Sequence, residues 1–310
     1  MTHFKMNRLT PGAVFLLLFS FSTGCGDSGG SGDSDSATDS DSATDTSTEA
    51  DTESDTDTVP VPDTDTDTNS ETETVADTDT DGQEPVSLGA SAAFAVLASA
   101  EITNIPTSVI TGDVGLTPDA GAGIRGFSSP ATCPEVTGTI YVVDATGPSC
   151  AAIDPILLAD AKADADIAFV DARNALRGTP ISLSGDLNGL TLSPGLYESG
   201  TSIEISAGGI LYLDAQGDGN AVFILRSETS ITTEAGSEVV LAGGAKAANV
   251  YWTAGSAVTL GTNSIMKGTL IAGTSMSLLT GANLEGRVLN RGAAAEAISL
   301  DSCTITVPLP

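Results

Sequence analysis

Between residues 86 and 310 the chain is written in short apolar runs that return at near-regular intervals, separated by Gly, Asn, Asp or Ser. Ile203-Glu204-Ile205, Ile210-Leu211-Tyr212-Leu213, Ala221-Val222-Phe223-Ile224-Leu225 and Glu238-Val239-Val240-Leu241 are examples. In the C-terminal third, Val250-Tyr251-Trp252, Leu270-Ile271 and Val288-Leu289 recur every 18 to 20 residues. Val258, Leu278 and Ile298 recur at 20, and Gly268 and Gly286 stand 18 apart. Strands this short, with glycine between them, suit tight corners better than long hairpins. Two or three strands per period describe a β-solenoid, in which each coil buries its inward residues against the next. A β-sandwich with accidental spacing is the alternative. A single domain of 225 residues is long enough to bury a real core.

One segment breaks the pattern. Asp154 suits a helix N-cap and Pro155 the first helical position. Leu158, Ala161, Ala165, Phe169, Ala172 and Leu176 then follow at spacings of three and four, so the spacing predicts a helix over about 154–177 with one apolar stripe. Gly178 and Pro180 stop it. Asp160, Asp164, Asp166 and Asp171 are read as the solvated face of this helix rather than as a metal or catalytic cluster. The Ala-rich stripe suits close packing along the flank of a solenoid.

The N-terminus has a different character. Lys5 and Arg8 precede an apolar core that begins at Val14 and runs to about Phe21. That core is shorter than the about 20 residues needed to span a bilayer, so residues 1–24 read as a secretory signal. Ser22-Thr23-Gly24 before Cys25 resemble a bacterial lipobox, whose Cys is lipidated, although Ser22 stands where such boxes usually carry Leu. An ordinary signal peptide is the alternative. Residues 25–85 are Ser-Asp and Thr-Asp repeats that hold 20 of the 41 acidic residues and no Lys or Arg. Such a stretch cannot bury enough apolar surface to fold and repels itself into an extended spacer.

Composition narrows the function. The formal net charge of −30 argues against nucleic acid as a partner and against an electrostatic hold on anionic lipid. The only histidine, His3, falls in the signal, so the exported chain has no Ser-His or Cys-His nucleophile and no His-ligated metal. Export implies an oxidising compartment, in which Cys133 and Cys150 form a disulfide that closes a loop around a strand. Cys303 is then left over.

Several stretches carry a family likeness. Leu88-Gly89-Ala90-Ser91-Ala92-Ala93-Phe94-Ala95-Val96-Leu97-Ala98-Ser99 leads to Ile110-Thr111-Gly112-Asp113-Val114-Gly115. Leu192-Ser193-Pro194-Gly195-Leu196-Tyr197, Leu213-Asp214-Ala215-Gln216-Gly217-Asp218, Val250-Tyr251-Trp252 and Lys267-Gly268-Thr269 follow in order. In these motifs residues 88–306 resemble the microbial ice-binding protein family, the DUF3494 domain. The resemblance implies a mainly β fold: a right-handed parallel β-helix of triangular cross-section with one long α-helix packed along it. It also implies adsorption to ice through one flat, exposed β-face, with no catalysis and no cofactor.

A parallel solenoid makes such a face plausible on geometry alone. Coils stack about 4.8 Å apart and same-side residues along a strand are about 6.7 Å apart, a rigid lattice whose Thr or Ser nodes offer a methyl or methylene group beside a hydroxyl. A preformed array needs little ordering on binding. Ice faces of the family often show Thr-(Ala/Gly)-x-(Thr/Asn). Thr280-Gly281-Ala282-Asn283 matches it, Thr253-Ala254-Gly255-Ser256 nearly does, and Thr262-Asn263-Ser264-Ile265 departs at two positions. Thr253, Ser256, Thr259, Thr262, Thr280 and Asn283 are therefore the candidate ice-contacting residues.

The expectation is a monomeric, non-enzymatic module without cofactor or metal. Its partner is the ice crystal surface, and it touches a membrane only through an N-terminal lipid anchor at Cys25. That places it at the outer membrane or cell surface, or secreted if Cys25 is not lipidated. A structural or adhesive domain of the same fold without ice affinity is the alternative. An acid-based polysaccharide enzyme using Asp214 and Asp218 is the third reading, weakened because those residues look like a polar Gly-containing turn.

Overall fold

A computed structural model describes residues 82–292 and 296–309. The expected signal segment 1–24, Cys25 and nearly all of the 25–85 spacer lie outside the described residues.

The inward residues of the strands are apolar with few exceptions, Asn104 and Thr233 among them, and every named strand pairing is parallel, so the chain winds into a β-helix with three strands per coil. On the first side the strands stack in the order Ala152–Ile153, Ile140–Val142, Asp113–Leu116, Phe94–Ala98, Asn283–Asn290, Ile265–Ala272, Val250–Ala254, Phe223–Ser227, Gly195–Ser199 and Ile181–Ser182. The second side is an eight-stranded sheet among the described residues, in the order Ile124–Arg125, Glu101–Ile105, Ala297–Asp301, Met276–Leu278, Val258–Leu260, Ile231–Thr233, Ile203–Ile205 and Gly185–Asp186. The third side is built from Thr191–Leu192, Ile210–Asp214, Glu238–Ala242, the first halves of Ile265–Ala272 and Asn283–Asn290, then Thr304–Thr306 and Val109–Thr111.

The stacking order is not the chain order. The first coil, from Phe94–Ala98 onward, sits between the last coil and the Asp113–Leu116 level: Val96 pairs with Val288 on one edge and with Val114 on the other. Ile102 pairs with Ile298, and Thr304 with Val109.

Sequence periods and structural register agree in part. Trp252 lies beside Leu270, Leu270 beside Val288, and Gly268 beside Gly286, the 18-residue steps. The 20-residue series is a mixture of two inward rows, because Val258 pairs with Met276 and then Ile298, while Leu278 pairs with Leu260 and Leu300. Two strands, Ile265–Ala272 and Asn283–Asn290, turn the corner between the third and first sides without a break. Gly268, at φ +108°, and Gly286 make this possible: a Cβ on Gly286 would come within 1.8 Å of the Gly268 carbonyl oxygen.

The helix, Pro155–Ala172, runs along the first side and, with the segment 173–180 after it, carries the chain from one end of the stack to the other. Its 18 residues span about 27 Å, the depth of five or six strands stacked about 4.8 Å apart. Asp154 caps it by accepting from the Leu157 amide at 3.0 Å. Leu158, Ala161, Ala165, Ala168, Phe169 and Ala172 are buried against Phe94, Leu97, Ile224, Tyr251, Ile271 and Leu289, a core separate from the one inside the coils. The helix ends at Ala172, before the expected residue 177, because the Arg226 guanidinium takes the Ala172 and Asn174 carbonyls. Leu176 consequently falls in a short 3-10 turn and is 92% exposed.

Three of the four helix acids are pins, while Asp160 stays on the exposed face as expected. Asp164 accepts from the Ala90 amide, Asp166 from the Gly292 amide, and Asp171 pairs with Arg177. Lys162 is buried beside them, its ammonium bonded to Ser99 Oγ at 2.6 Å and to the Asn290 carbonyl. Burial pulls its pKa down to about 8, against the opposing pull of Asp166 and Glu296. Arg177 also donates to the carbonyls of Glu84 and Pro85, so these residues already pack against the domain. The sulfurs of Cys133 and Cys150 lie 2.05 Å apart, at bonding distance, and Cys303 is a buried free thiol.

Candidate functional site

With the helix and residues 82–93 laid over the first side, two sides of the β-helix remain open. The second carries a distinctive outward row. Ile203, Ile231, Val258, Met276, Ile298 and Ile102 form one inward ladder, each stacked on the next. Strand alternation then turns the following residues outward. In register these are Thr232, Thr259, Ser277, Ser299 and Thr103 on five consecutive coils. Two residues earlier, on the same surface, stand Ser230, Ala257, Ser275 and Ala297. All of these side chains are small, neutral and partly or fully exposed, and the Thr103 coil departs from them with Glu101 at the corresponding position.

Charge also lines the edges of the array: Asp301 ends the Ala297–Asp301 strand two residues after Ser299, and the row itself is bounded by charge at both ends. At one end Thr103 is followed in the row by Arg125, which pairs with Glu101 at 3.1 Å. At the other, Thr232 is followed by Glu204 and then Asp186. Asp186 is tied down: its carboxylate accepts from the Asn188 and Ser206 amides at 3.0 and 3.1 Å, and those bonds hold its pKa below the usual range.

The row is held rigid from behind. At the corner with the first side, Ser227 Oγ donates to the Ser230 and Thr201 carbonyls, and Ser199 Oγ to the Ser202 carbonyl. At the same corner, Asn290 Nδ2 donates to the Thr274 carbonyl. These buried side chains fix where each outward strand begins.

The six residues singled out from the sequence are scattered over three sides. Thr259 alone lies in the row. Thr253 is fully buried under the helix, with Arg173 donating to its hydroxyl at 3.5 Å, and so presents nothing to solvent. Ser256 sits at the corner leading into the second side. Thr262 and Thr280 occupy the corner leading out of it, where the Thr280 hydroxyl donates to Asp301. Asn283 begins a third-side strand. A four-residue Thr-(Ala/Gly)-x-(Thr/Asn) stretch is as long as a turn, and here such stretches form corners. Thr232, Ser277, Ser299 and Thr103 were missed, although Ser277 and Ser299 stand between two apolar residues, in Met276-Ser277-Leu278 and Ile298-Ser299-Leu300.

The acids considered for catalysis are turn formers. Asp214 accepts from the Gln216 amide and Asp218 from the Asn220 amide, each closing its own turn. Among the described residues no three His, Cys, Asp or Glu are grouped to hold a metal, and no helix is long and apolar enough to cross a membrane.

The fold and this face define a parallel β-helix with a flanking helix and a neutral, hydroxyl-bearing side. The sequence matches the Ice-binding-like family over residues 96–306, and the chain belongs to that family. An ice-binding protein of Flavobacterium frigoris is 36% identical over 224 residues, 72% of this chain and 76% of that one. A Colwellia ice-binding protein is 33% identical, covering 73% and 85%. Among solved structures, the DUF3494 domain of Shewanella frigidimarina ice-binding protein 1 superposes with a TM-score of 0.66 at 28% identity, covering 74% of this chain and all of that domain. An ice-binding protein from an Antarctic biological consortium gives 0.63 at 36% identity, covering 74% and 93%.

Proposed function

We propose that this protein binds ice through the Ser/Thr side of its β-helix, and that it acts outside the cell as an ice adhesin or recrystallisation inhibitor. The observation that carries the reading is the row Thr232, Thr259, Ser277, Ser299 and Thr103, stacked in register on five coils. Nodes about 4.8 Å apart across strands and about 6.7 Å along them form a two-dimensional array of methyl or methylene groups and hydroxyls. The apolar parts order a layer of water, and the hydroxyls join it to the lattice. The backbone is already fixed, so adsorption costs little conformational entropy. Absence of charge matters equally, because ions hold their own hydration shells in geometries that ice does not share.

The mode of action is adsorption without chemical turnover, by single copies of the chain. Lipidation of Cys25 and the acidic spacer of residues 25–85 would hold the domain away from a membrane surface. An ordinary cleaved signal would release it instead. Metabolic labelling with a radiolabelled fatty acid separates these two outcomes, since a Cys25→Ala variant then loses label only if Cys25 is the anchor.

The test of ice binding is recrystallisation inhibition and ice-crystal shaping by the purified full-length protein. Inhibition at micromolar concentration that Thr259→Tyr abolishes is the expected result. Crystals that grow as freely as in buffer overturn the reading.

A further inference from the structure

The Ser/Thr row stops at Glu204 although the lattice does not. The Ile203–Ile205 strand continues the sheet in perfect register with Ile231–Thr233, and its inward residues Ile203 and Ile205 are buried like those of every other coil. On either side of Glu204, Ser202 and Ser206 stand at the outward positions, so this coil is neutral and hydroxyl-bearing everywhere but at its central node. Glu204 itself is exposed and takes part in none of the ion pairs among the described residues. The neighbouring coil's Asp186 behaves differently, since its carboxylate closes a turn through two backbone amides. The fold thus requires the acid at 186 and makes no use of the one at 204.

Resting on the reading of this side as an ice-binding face, we propose that Glu204 is the residue that sets its extent. An unpaired carboxylate at a lattice node holds a hydration shell of its own. It keeps ice-like water from spreading onto the Ile203–Ile205 coil, which is otherwise built to receive it. The opposite border is closed by a different device, the Arg125–Glu101 ion pair, in which both partners would have to be replaced. Glu204 is therefore the one border position in this row where a single change lengthens the array by a coil without unmaking a turn or an ion pair.

The experiment compares the full-length protein with Glu204→Thr, Glu204→Gln, Glu204→Lys and Thr259→Tyr. It measures the concentration giving half-maximal inhibition of recrystallisation, the thermal hysteresis gap and the melting temperature of each. A node that adds what one hydrogen bond adds on net lowers the half-maximal concentration about fivefold for Glu204→Thr. Glu204→Gln, which removes charge but keeps bulk, moves the same way by less. Glu204→Lys, still charged, gives no gain. All three melt as the parent does. Unchanged or weakened activity in both Glu204→Thr and Glu204→Gln overturns the proposal, provided Thr259→Tyr abolishes activity. If Thr259→Tyr is as active as the parent, the face itself has been misassigned and the proposal falls with it.

Discussion

The two open sides of the β-helix are alike on the inside and unlike on the outside. On the second side, strands turn Ile, Val, Met or Leu inward and Ser or Thr outward. On the third, Leu211, Val239, Met266, Leu284, Ile305 and Ile110 point inward just as regularly. Its outward neighbours, however, are Tyr212, Val240, Lys267, Glu285, Thr306 and Thr111. Lys267 and Glu285 form an ion pair at 2.8 Å in the middle of that surface. Both sides have the same strand spacing and the same backbone rigidity. Only the alternate, outward residues separate a surface fit for a regular water layer from one that is merely folded. Inward residues specify the solenoid, and outward residues specify what it meets.

The comparison can be broken most severely where both sides depend on one feature. Gly286→Val places side-chain atoms against the Gly268 carbonyl at the corner between the third and first sides, where even a Cβ would lie at 1.8 Å, and so disrupts the coil stack on which both open sides rest. It should cost more than about 4 kcal/mol, well above an ordinary substitution, and abolish the thermal unfolding transition seen in the parent.

A second, smaller effect lies under the helix and should spare the contrast between the open sides. Lys162 has a folded pKa near 8 against an ordinary value of 10.5, so between those values the unfolded chain holds more protons than the folded one. Stability then rises with pH across that window, by at most about 3 kcal/mol. Denaturant melts of the parent and Lys162→Met at pH 7.5 and 10.5 check the sign. The parent should gain stability relative to the variant at the higher pH.

A third change is local to the face. Ser277→Tyr should weaken recrystallisation inhibition at least about tenfold, a loss near 1.4 kcal/mol, while leaving the melting temperature unchanged. The smallest effects belong to the third side. Thr306→Tyr should leave ice activity at the parent's value. Lys267→Ala, which breaks a partly exposed pair, should shift stability by no more than about 1 kcal/mol, measured by urea titration. Loss of ice activity in Thr306→Tyr with retention in Ser277→Tyr would reverse the assignment of the two sides.

Much of this was legible in the chain itself. Inward rows show as apolar runs at repeating intervals, and the helix start shows as Asp154-Pro155. Its end does not, because Arg226, 54 positions beyond Ala172, claims the last carbonyls. Nor do the roles of Asp164 and Asp166, whose partners are the amides of Ala90 and Gly292, remote in sequence. The Ser/Thr row was half visible. A Ser or Thr between two apolar residues marks Thr259, Ser277 and Ser299 but not Thr232, which is followed by Thr233, and a search for four-residue Thr patterns leads to the corners instead. Thr103 could not be placed at all from local pattern, since its neighbour in the row is Ser299.

The same insertion of the first coil beside the last has a consequence for how the domain comes into being. A simple solenoid can start to fold wherever two repeats meet and grow outward as the chain is made. Here the Phe94–Ala98 strand finds one of its two partners only when Asn283–Asn290 has been synthesised, and the strand after it waits for Ala297–Asp301. Bringing those segments together closes a loop of almost the whole domain, the kind of non-local contact that folds slowly. The middle of the stack is thus the last part to be completed, and the ribosome must nearly finish the domain before the Ser/Thr row exists as one surface.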